Sequence, residues 1–201
     1  MKRAGFVLLC VAALSSVAAA ADKGLAIDVR TTLEKAVTNE REAAARYEAF
    51  ATKATAEGYP GAAALFRAQA KAESVHAKRF AQALKNAGAA LPEAAAATPE
   101  VGTTEENLLA AASAEAGERD GFYRDAVTTC RSNKDEATAK LFDETRDAEV
   151  EHANLDAAAG RDLSQLKHAK SYYVCGHCGY VTDVRLPMCP SCRDKKLNQV
   201  D

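Results

Sequence analysis

The chain has 201 residues, 48% hydrophobic and 27% charged, with a formal net charge of −2. That length suits one medium domain with something small beside it, and the slightly acidic balance offers no footprint for nucleic acid. Alanine is abundant, aromatic residues make up only 6% and Trp is absent, so tightly packed helices are expected rather than a sheet.

The first twenty or so residues stand apart from that fold. Lys2 and Arg3 form a basic start, Phe6 to Leu14 an apolar stretch, and Ala18 to Ala21 a run of small residues, the pattern of a secretory signal over 1–21. The mature chain is expected to begin near Asp22 and to reside in the periplasm; the apolar stretch is short for a membrane span, which disfavours an uncleaved anchor. Leu9 stands where a small residue would precede a lipidated cysteine, which argues against a lipid on Cys10.

Four helical segments follow. Thr31-Thr-Leu-Glu34 has the form of a capping box and opens a helix that Gly58-Tyr-Pro60-Gly61 stops after Glu57. A second helix is expected from about Ala62 to Ala87, ended by Gly88. Ala89 to Thr103, with Pro92, Pro99 and Gly102, reads as a long connection. Thr103-Thr-Glu-Glu106 is a second capping box opening a helix through about Cys130, and Lys134 to Ala159 forms the fourth before Gly160. Two short loops around one long one are what a four-helix bundle with a single crossover needs.

From Tyr172 the helical pattern ends, and Cys175-Gly-His-Cys178 and Cys189-Pro-Ser-Cys192 follow, with Gly179, Pro187 and Pro190 nearby. Paired Cys-x-x-Cys knuckles point to a four-thiolate metal centre, with disulfides as the alternative in an oxidising compartment. Tetrahedral sulfur accepts zinc and iron alike.

Within the helices, two Glu-x-x-His pairs repeat a pattern. Glu73 and His76 follow Glu40 by 33 residues, and Glu149 and His152 follow Glu115 by 34 when each interval is counted to the glutamate. Residues three apart share a helix face, so each pair aims a carboxylate and an imidazole at one point. Glu118, one turn after Glu115, adds a fifth carboxylate. The oxygen-rich set Glu40, Glu73, His76, Glu115, Glu118, Glu149 and His152 suits two six-coordinate irons or manganeses better than tetrahedral zinc. A solvated acidic face is the plain alternative for any one of these residues, and it applies to Glu42, Glu48, Asp147 and Glu151, which fall off the pattern. His168 and His177 read as surface groups, and Cys130 as a buried small residue.

The segments Asn39 to Tyr47, Ala72 to Phe80, Asn107-Leu-Leu-Ala, Ala114 to Glu118 and Glu149 to His152, in this order and followed by the knuckles, resemble the rubrerythrin family. The resemblance implies a mainly α fold, with a ferritin-like di-iron bundle over 22–165 and a small rubredoxin-like domain over 170–201. It implies that all seven bundle residues ligate two non-haem irons and that Cys175, Cys178, Cys189 and Cys192 hold one iron, with zinc as the other possibility in that site. Glu118 matches the carboxylate that separates this family from plain ferroxidases, and Tyr47 and Tyr123 match positions near the metals. Helical spacing from Glu40 also turns Tyr47 inward, whereas Phe122, seven after Glu115, fits the periodicity better than Tyr123.

The implied activity is reduction of hydrogen peroxide to water, in a homodimer where one subunit's rubredoxin domain approaches the other's di-iron site. The donor protein is unidentified, and the export signal departs from the family's usual cytoplasmic setting. A ferroxidase and a non-enzymatic redox-sensing iron protein are the alternatives. The thiolate tail, which a ferroxidase does not need, disfavours the first, and the lack of a partner-recognition element disfavours the second.

Overall fold

The computed structural model describes residues 24–93, 98–194 and 196–200, so the leader expected over 1–21 lies outside the described residues. Among the described residues, five α-helices, α1 (Ile27–Ala56), α2 (Pro60–Asn86), α3 (Thr104–Gly117), α4 (Arg124–Ser132) and α5 (Glu136–Arg161), precede three short strands. A π-helical segment, Glu118–Tyr123, joins α3 to α4, so the three form one rod and the bundle has four. No helix among the described residues is long and apolar enough to cross a membrane.

The helix boundaries follow from their end chemistry. α1 begins at Ile27, four residues before the expected capping box, and its N-cap Ala26 supplies no side-chain cap. Glu34 is instead engaged by Arg30, whose Nε donates to it at 2.7 Å, so the Thr31-to-Glu34 box does not form. At the other end Gly58 takes φ +79°, and Tyr59 N donates to Ala54 O at 2.9 Å, a Schellman stop. Pro60 then occupies the first turn of α2, where its missing N–H costs nothing. The second expected box forms as read: Thr103 caps α3 and Glu106 reaches back to the Thr103 amide.

The π segment was not legible in the helical pattern. Gly117 and Gly121 weaken the regular helix there. Arg146 of α5 supports the widened turn by donating from Nε to the Arg119 carbonyl at 3.0 Å. One extra residue in a turn shifts every later side chain around the rod.

The helices pack as two hairpins, α1 on α2 and the α3–α4 rod on α5. Buried alanines such as Ala63, Ala68 and Ala72 let α1 and α2 approach closely. The apolar core divides in two, with Tyr47, Phe50, Phe66 and Leu108 in one cluster and Leu33, Phe80, Tyr123 and Phe142 in the other. On each rod, buried polar residues lie between the two clusters.

After α5 a 3-10 turn, Leu163–Lys167, leads to β1 (Tyr172–Cys175), β2 (Val181–Thr182) and β3 (Leu197–Val200), an antiparallel sheet in the order β2-β1-β3. The small module does not hang free. Tyr172, Val174 and Val181 belong to the same buried cluster as Phe50, Leu65 and Phe66 of the bundle.

Candidate metal centres

Each rod delivers part of one buried polar layer. Glu40 comes from α1, Glu73 and His76 from α2, Glu115 from α3, and Glu149 and His152 from α5, all 2% exposed or less. Their ligand atoms fall into two groups, each within 4.8 Å of one another: Glu40, Glu73, His76 and Glu149, and Glu73, Glu115, Glu149 and His152. Glu73 and Glu149 belong to both, so the layer has two overlapping centres spanned by two shared carboxylates.

The imidazoles are set by what lies on either side of them. His76 Nδ1 lies 2.8 Å from Glu73, 3.1 Å from Glu149 and 3.6 Å from Glu40. His152 Nδ1 lies 2.8 Å from Glu149, 3.3 Å from Glu73 and 3.9 Å from Glu115. On the far edge of the rings, His76 Nε2 donates to the Cys178 carbonyl at 2.9 Å and His152 Nε2 to the Gly179 carbonyl at 3.0 Å. A carbonyl can only accept, so Nε2 carries the proton in both rings. That leaves Nδ1, facing the carboxylates, as the position for a metal.

Without a cation this layer is badly satisfied. Both oxygens of Glu40, both of Glu149 and Oε1 of Glu73 are buried without a hydrogen-bond partner among the described residues. Burial raises the Glu40 and Glu115 carboxyls well above their ordinary range. Burial also works against charge on the imidazoles, but Glu149 outweighs it, with Glu40 at His76 and Glu73 at His152, and both stay well above the usual histidine value. Two dications would replace these protons and meet the orphaned oxygens, so the residues fit a metal pair. Oxygen-rich shells with one nitrogen each suit six-coordinate iron or manganese.

The sign of the pH dependence follows. At neutral pH the metal-free site holds protons on both imidazoles, and a metal must displace them, so affinity rises with pH. Titrating ferrous or manganous ion into metal-free protein near pH 7 is expected to release at least about two protons per chain. Calorimetry in buffers of different ionisation enthalpy reads that number; uptake with no proton release would mean the layer is not the binding site.

The knuckles form the second centre. Cys175, Cys178 and Cys189 are buried, Cys192 is partly exposed, and all four thiols are free, so the disulfide alternative is not realised. Cys175 and Cys192 Sγ are 3.5 Å apart and Cys178 and Cys189 Sγ 3.6 Å. A tetrahedral metal with bonds of about 2.3 Å needs sulfurs roughly 3.8 Å apart, against about 2.05 Å in a disulfide. The Cys178 thiol hydrogen-bonds to Cys175 and holds it down to about 5, so one thiolate is available at neutral pH.

The remaining expected residues are placed as follows. Glu118, at the start of the π segment, is partly buried but outside both four-residue groups. Burial and the charges of Glu149 and Glu73 push its carboxyl up to about 8. The Tyr47 hydroxyl donates to Glu115 Oε1. Tyr123 is fully buried and its hydroxyl has no partner among the described residues, while Phe122 is only partly buried. The preference for Phe122 from periodicity is therefore corrected, because the π turn inserts a residue between Glu115 and this position. Cys130 is buried, its thiol pushed up to about 12 by burial, and His168 and His177 are exposed.

A buried pair escaped the sequence reading. Gln69 Nε2 donates to Asp156 Oδ2 at 2.7 Å, both residues are fully buried, and Gln69 Oε1 and Asp156 Oδ1 have no hydrogen-bond partner among the described residues. Burial raises the Asp156 carboxyl to about 8. Gln69 sits four before Glu73 and Asp156 four after His152, so helical spacing extended one turn beyond the ligands would have found them.

A family model described as rubrerythrin matches residues 31–159. Rubrerythrin of Porphyromonas gingivalis is 33% identical over 169 residues, covering 78% of this chain and 81% of that protein. Nigerythrin of Nitratidesulfovibrio vulgaris is 26% identical over 161 residues, covering 80% and 79%. Among solved structures, fully reduced, all-ferrous nigerythrin aligns with a TM-score of 0.79 at 25% identity, over 90% of this chain and 91% of that one. A Mycobacterium tuberculosis bacterioferritin shares the fold alone, with a TM-score of 0.65 at 20% identity over 71% of this chain and 90% of that one. With paired carboxylate and imidazole centres in the bundle, a four-cysteine knuckle beside them and a family match across most of the bundle, this chain belongs to the rubrerythrin family.

Proposed function

We propose that this chain is a non-haem di-iron peroxidase that reduces hydrogen peroxide to water, supplied with electrons through the four-cysteine iron. The observation that carries this reading is the contact between the centres, because backbone carbonyls of the thiolate knuckle hold both imidazoles of the bundle. A ferroxidase draws electrons from its iron substrate and has no use for such a contact. Iron is supported by the oxygen-rich donor set and by the all-ferrous state of the nigerythrin relative.

Bound iron would supply the electrons, two from the bundle pair for each peroxide and single replacements from the thiolate site. The protein's part is to hold those sites in register. Glu73 and Glu149 span the two positions, Glu40 and Glu115 close the ends, and His76 and His152 present Nδ1 inward. Glu118 joins them as the fifth carboxylate of the family pattern, and Tyr47 orients Glu115 through its hydroxyl. Burial and Glu115 raise Tyr47 well above the ordinary phenol value, so it stays a donor. Apolar clusters on both sides limit access of bulk water.

Homodimerisation, export directed by residues 1–21 and an extracytoplasmic one-electron donor protein complete the proposal. They are supported by family membership and by the N-terminal pattern. Stopped-flow mixing tests the chemistry. The fully reduced protein is expected to reoxidise faster with peroxide than with dioxygen, and the opposite order would sink the assignment.

A further inference from the structure

We propose that Asp156, positioned by Gln69, holds a proton beside the bundle metals and passes it toward them. Among the described residues it is the one fully buried carboxyl outside the metal layer. Asp156 stands one turn beyond His152 on α5 and Gln69 one turn before Glu73 on α2, about 6 Å along each axis from the ligand. Both lie on bundle helices, so the pair stands whichever subunit's knuckle covers the imidazoles.

The pair is short of donors. Gln69 Nε2 donates to Asp156 Oδ2 at 2.7 Å, which leaves Asp156 Oδ1 and Gln69 Oε1 as buried acceptors without a hydrogen-bond partner among the described residues. Oε1 of Glu73, one turn on from Gln69, is a third. A buried carboxylate with a single donor is unfavourable, and a proton on Oδ1 both removes the charge and supplies a donor that these acceptors lack. A plain tie between α2 and α5 needs no acid here, because an amide of the same shape would accept the same bond without a charge.

The titratable groups facing Asp156 are Tyr47 of α1, Glu73 of α2, Glu149 and His152 of α5, and Tyr172 of β1. Burial pushes the Asp156 carboxyl up to about 8. Burial also holds both tyrosine hydroxyls above the ordinary phenol value, so they stay protonated. Positive charge arriving in the metal layer acts the other way on Asp156 and loosens its proton. Leu155 and Ala159, which flank Asp156 on α5, line a cleft of about 130 Å³, and the proton is replaced from that side.

The proton count rests on the peroxidase reading. Each peroxide takes two electrons from bound iron and two protons and becomes two waters, and the outside one-electron donor then returns the electrons. Asp156 Oδ1 carries one proton at a time, so it gives one up and is refilled twice per turnover.

Infrared spectroscopy of the iron-loaded protein reads the proton itself. Labelling the aspartate side-chain carboxyl with 13C sets Asp156 apart from the ligands, since the carboxylates of the metal layer are all glutamates and no other aspartate is fully buried among the described residues. At neutral pH the reduced protein is expected to show a protonated-acid band that shifts with the label, is missing in Asp156→Asn and disappears transiently on mixing with peroxide. Absence of a label-sensitive band in the reduced wild type would overturn the proposal.

Asp156→Asn keeps the shape and the bond from Gln69 but has no acid proton to give. Reoxidation of the reduced variant by peroxide is expected to slow by about 100-fold, with a larger solvent deuterium isotope effect and unchanged iron content. An unchanged rate and isotope effect would make Asp156 a structural tie and overturn the relay. If the labelled band responds to chemical oxidation of the irons but the wild type does not react with peroxide, the proton site stands and the peroxidase reading falls.

Discussion

Glu149→Ala, and equally Glu73→Ala, is expected to empty both metal positions of the bundle. Each of these carboxylates belongs to both groups of ligand atoms, whereas Glu40 and Glu115 belong to one each. Truncating Glu149 opens both shells at once and takes a close anion from each imidazole, since Glu149 lies within 3.1 Å of both. Loss of an outer hydrogen-bond partner commonly costs about 10–100-fold in metal affinity or activity, so loss of a shared ligand should cost more than about 100-fold in peroxide turnover. Iron analysis should then show only the thiolate iron, with its visible spectrum intact. Glu40→Ala and Glu115→Ala should each retain a partly loaded bundle. If Glu149→Ala kept both bundle irons, the shared-carboxylate geometry would be wrong.

Removing the knuckle metal, by chelation or by Cys178→Ser, is expected to unfold the module selectively. Its described residues between 172 and 200 carry strands of four, two and four residues. Ordering the backbone costs about 1–2 kcal/mol per residue, a sum that three apolar side chains at about 1.5–3 kcal/mol each cannot offset. A structural metal on four thiolates contributes on the order of 10–16 kcal/mol and is the largest single stabilising contribution available to the module. Hydrogen exchange should show the amides of β1 to β3 losing protection while α1, α2 and α5 keep theirs. Both imidazoles would then lose their Nε2 acceptors, and the bundle metals would bind more weakly. Protection that persists in metal-free knuckles would refute this account of the module's stability.

Much of the site was legible because its chemistry is local. A glutamate and a histidine three apart on a helix must share a face, and a Cys-x-x-Cys turn must bring two sulfurs together, whatever the rest of the chain does. The long connection after α2 and the Thr103 cap were legible for the same reason, through proline, glycine and capping chemistry. The start of α1 was misread because Glu34 had a competing partner in Arg30, and the helix ran on past the expected box. The incomplete burial of Phe122 was missed because a π turn breaks the 3.6-residue count on which the reading of Phe122 depended.

By itself, then, the sequence determined the ligand types, their pairing along each helix and the two-part organisation of the chain, since these depend on spacings of a few residues. Tertiary structure alone decided which carboxylates are shared, because the ligand atoms of each group come from three rods and lie within 4.8 Å of one another only through helix packing. It also decided where the thiolate knuckle sits. The hydrogen bond from His76 to the Cys178 carbonyl spans 102 positions of sequence, and it exists because the buried side chains of Tyr172, Val174 and Val181 and the missing Cβ of Gly179 let the two centres come together.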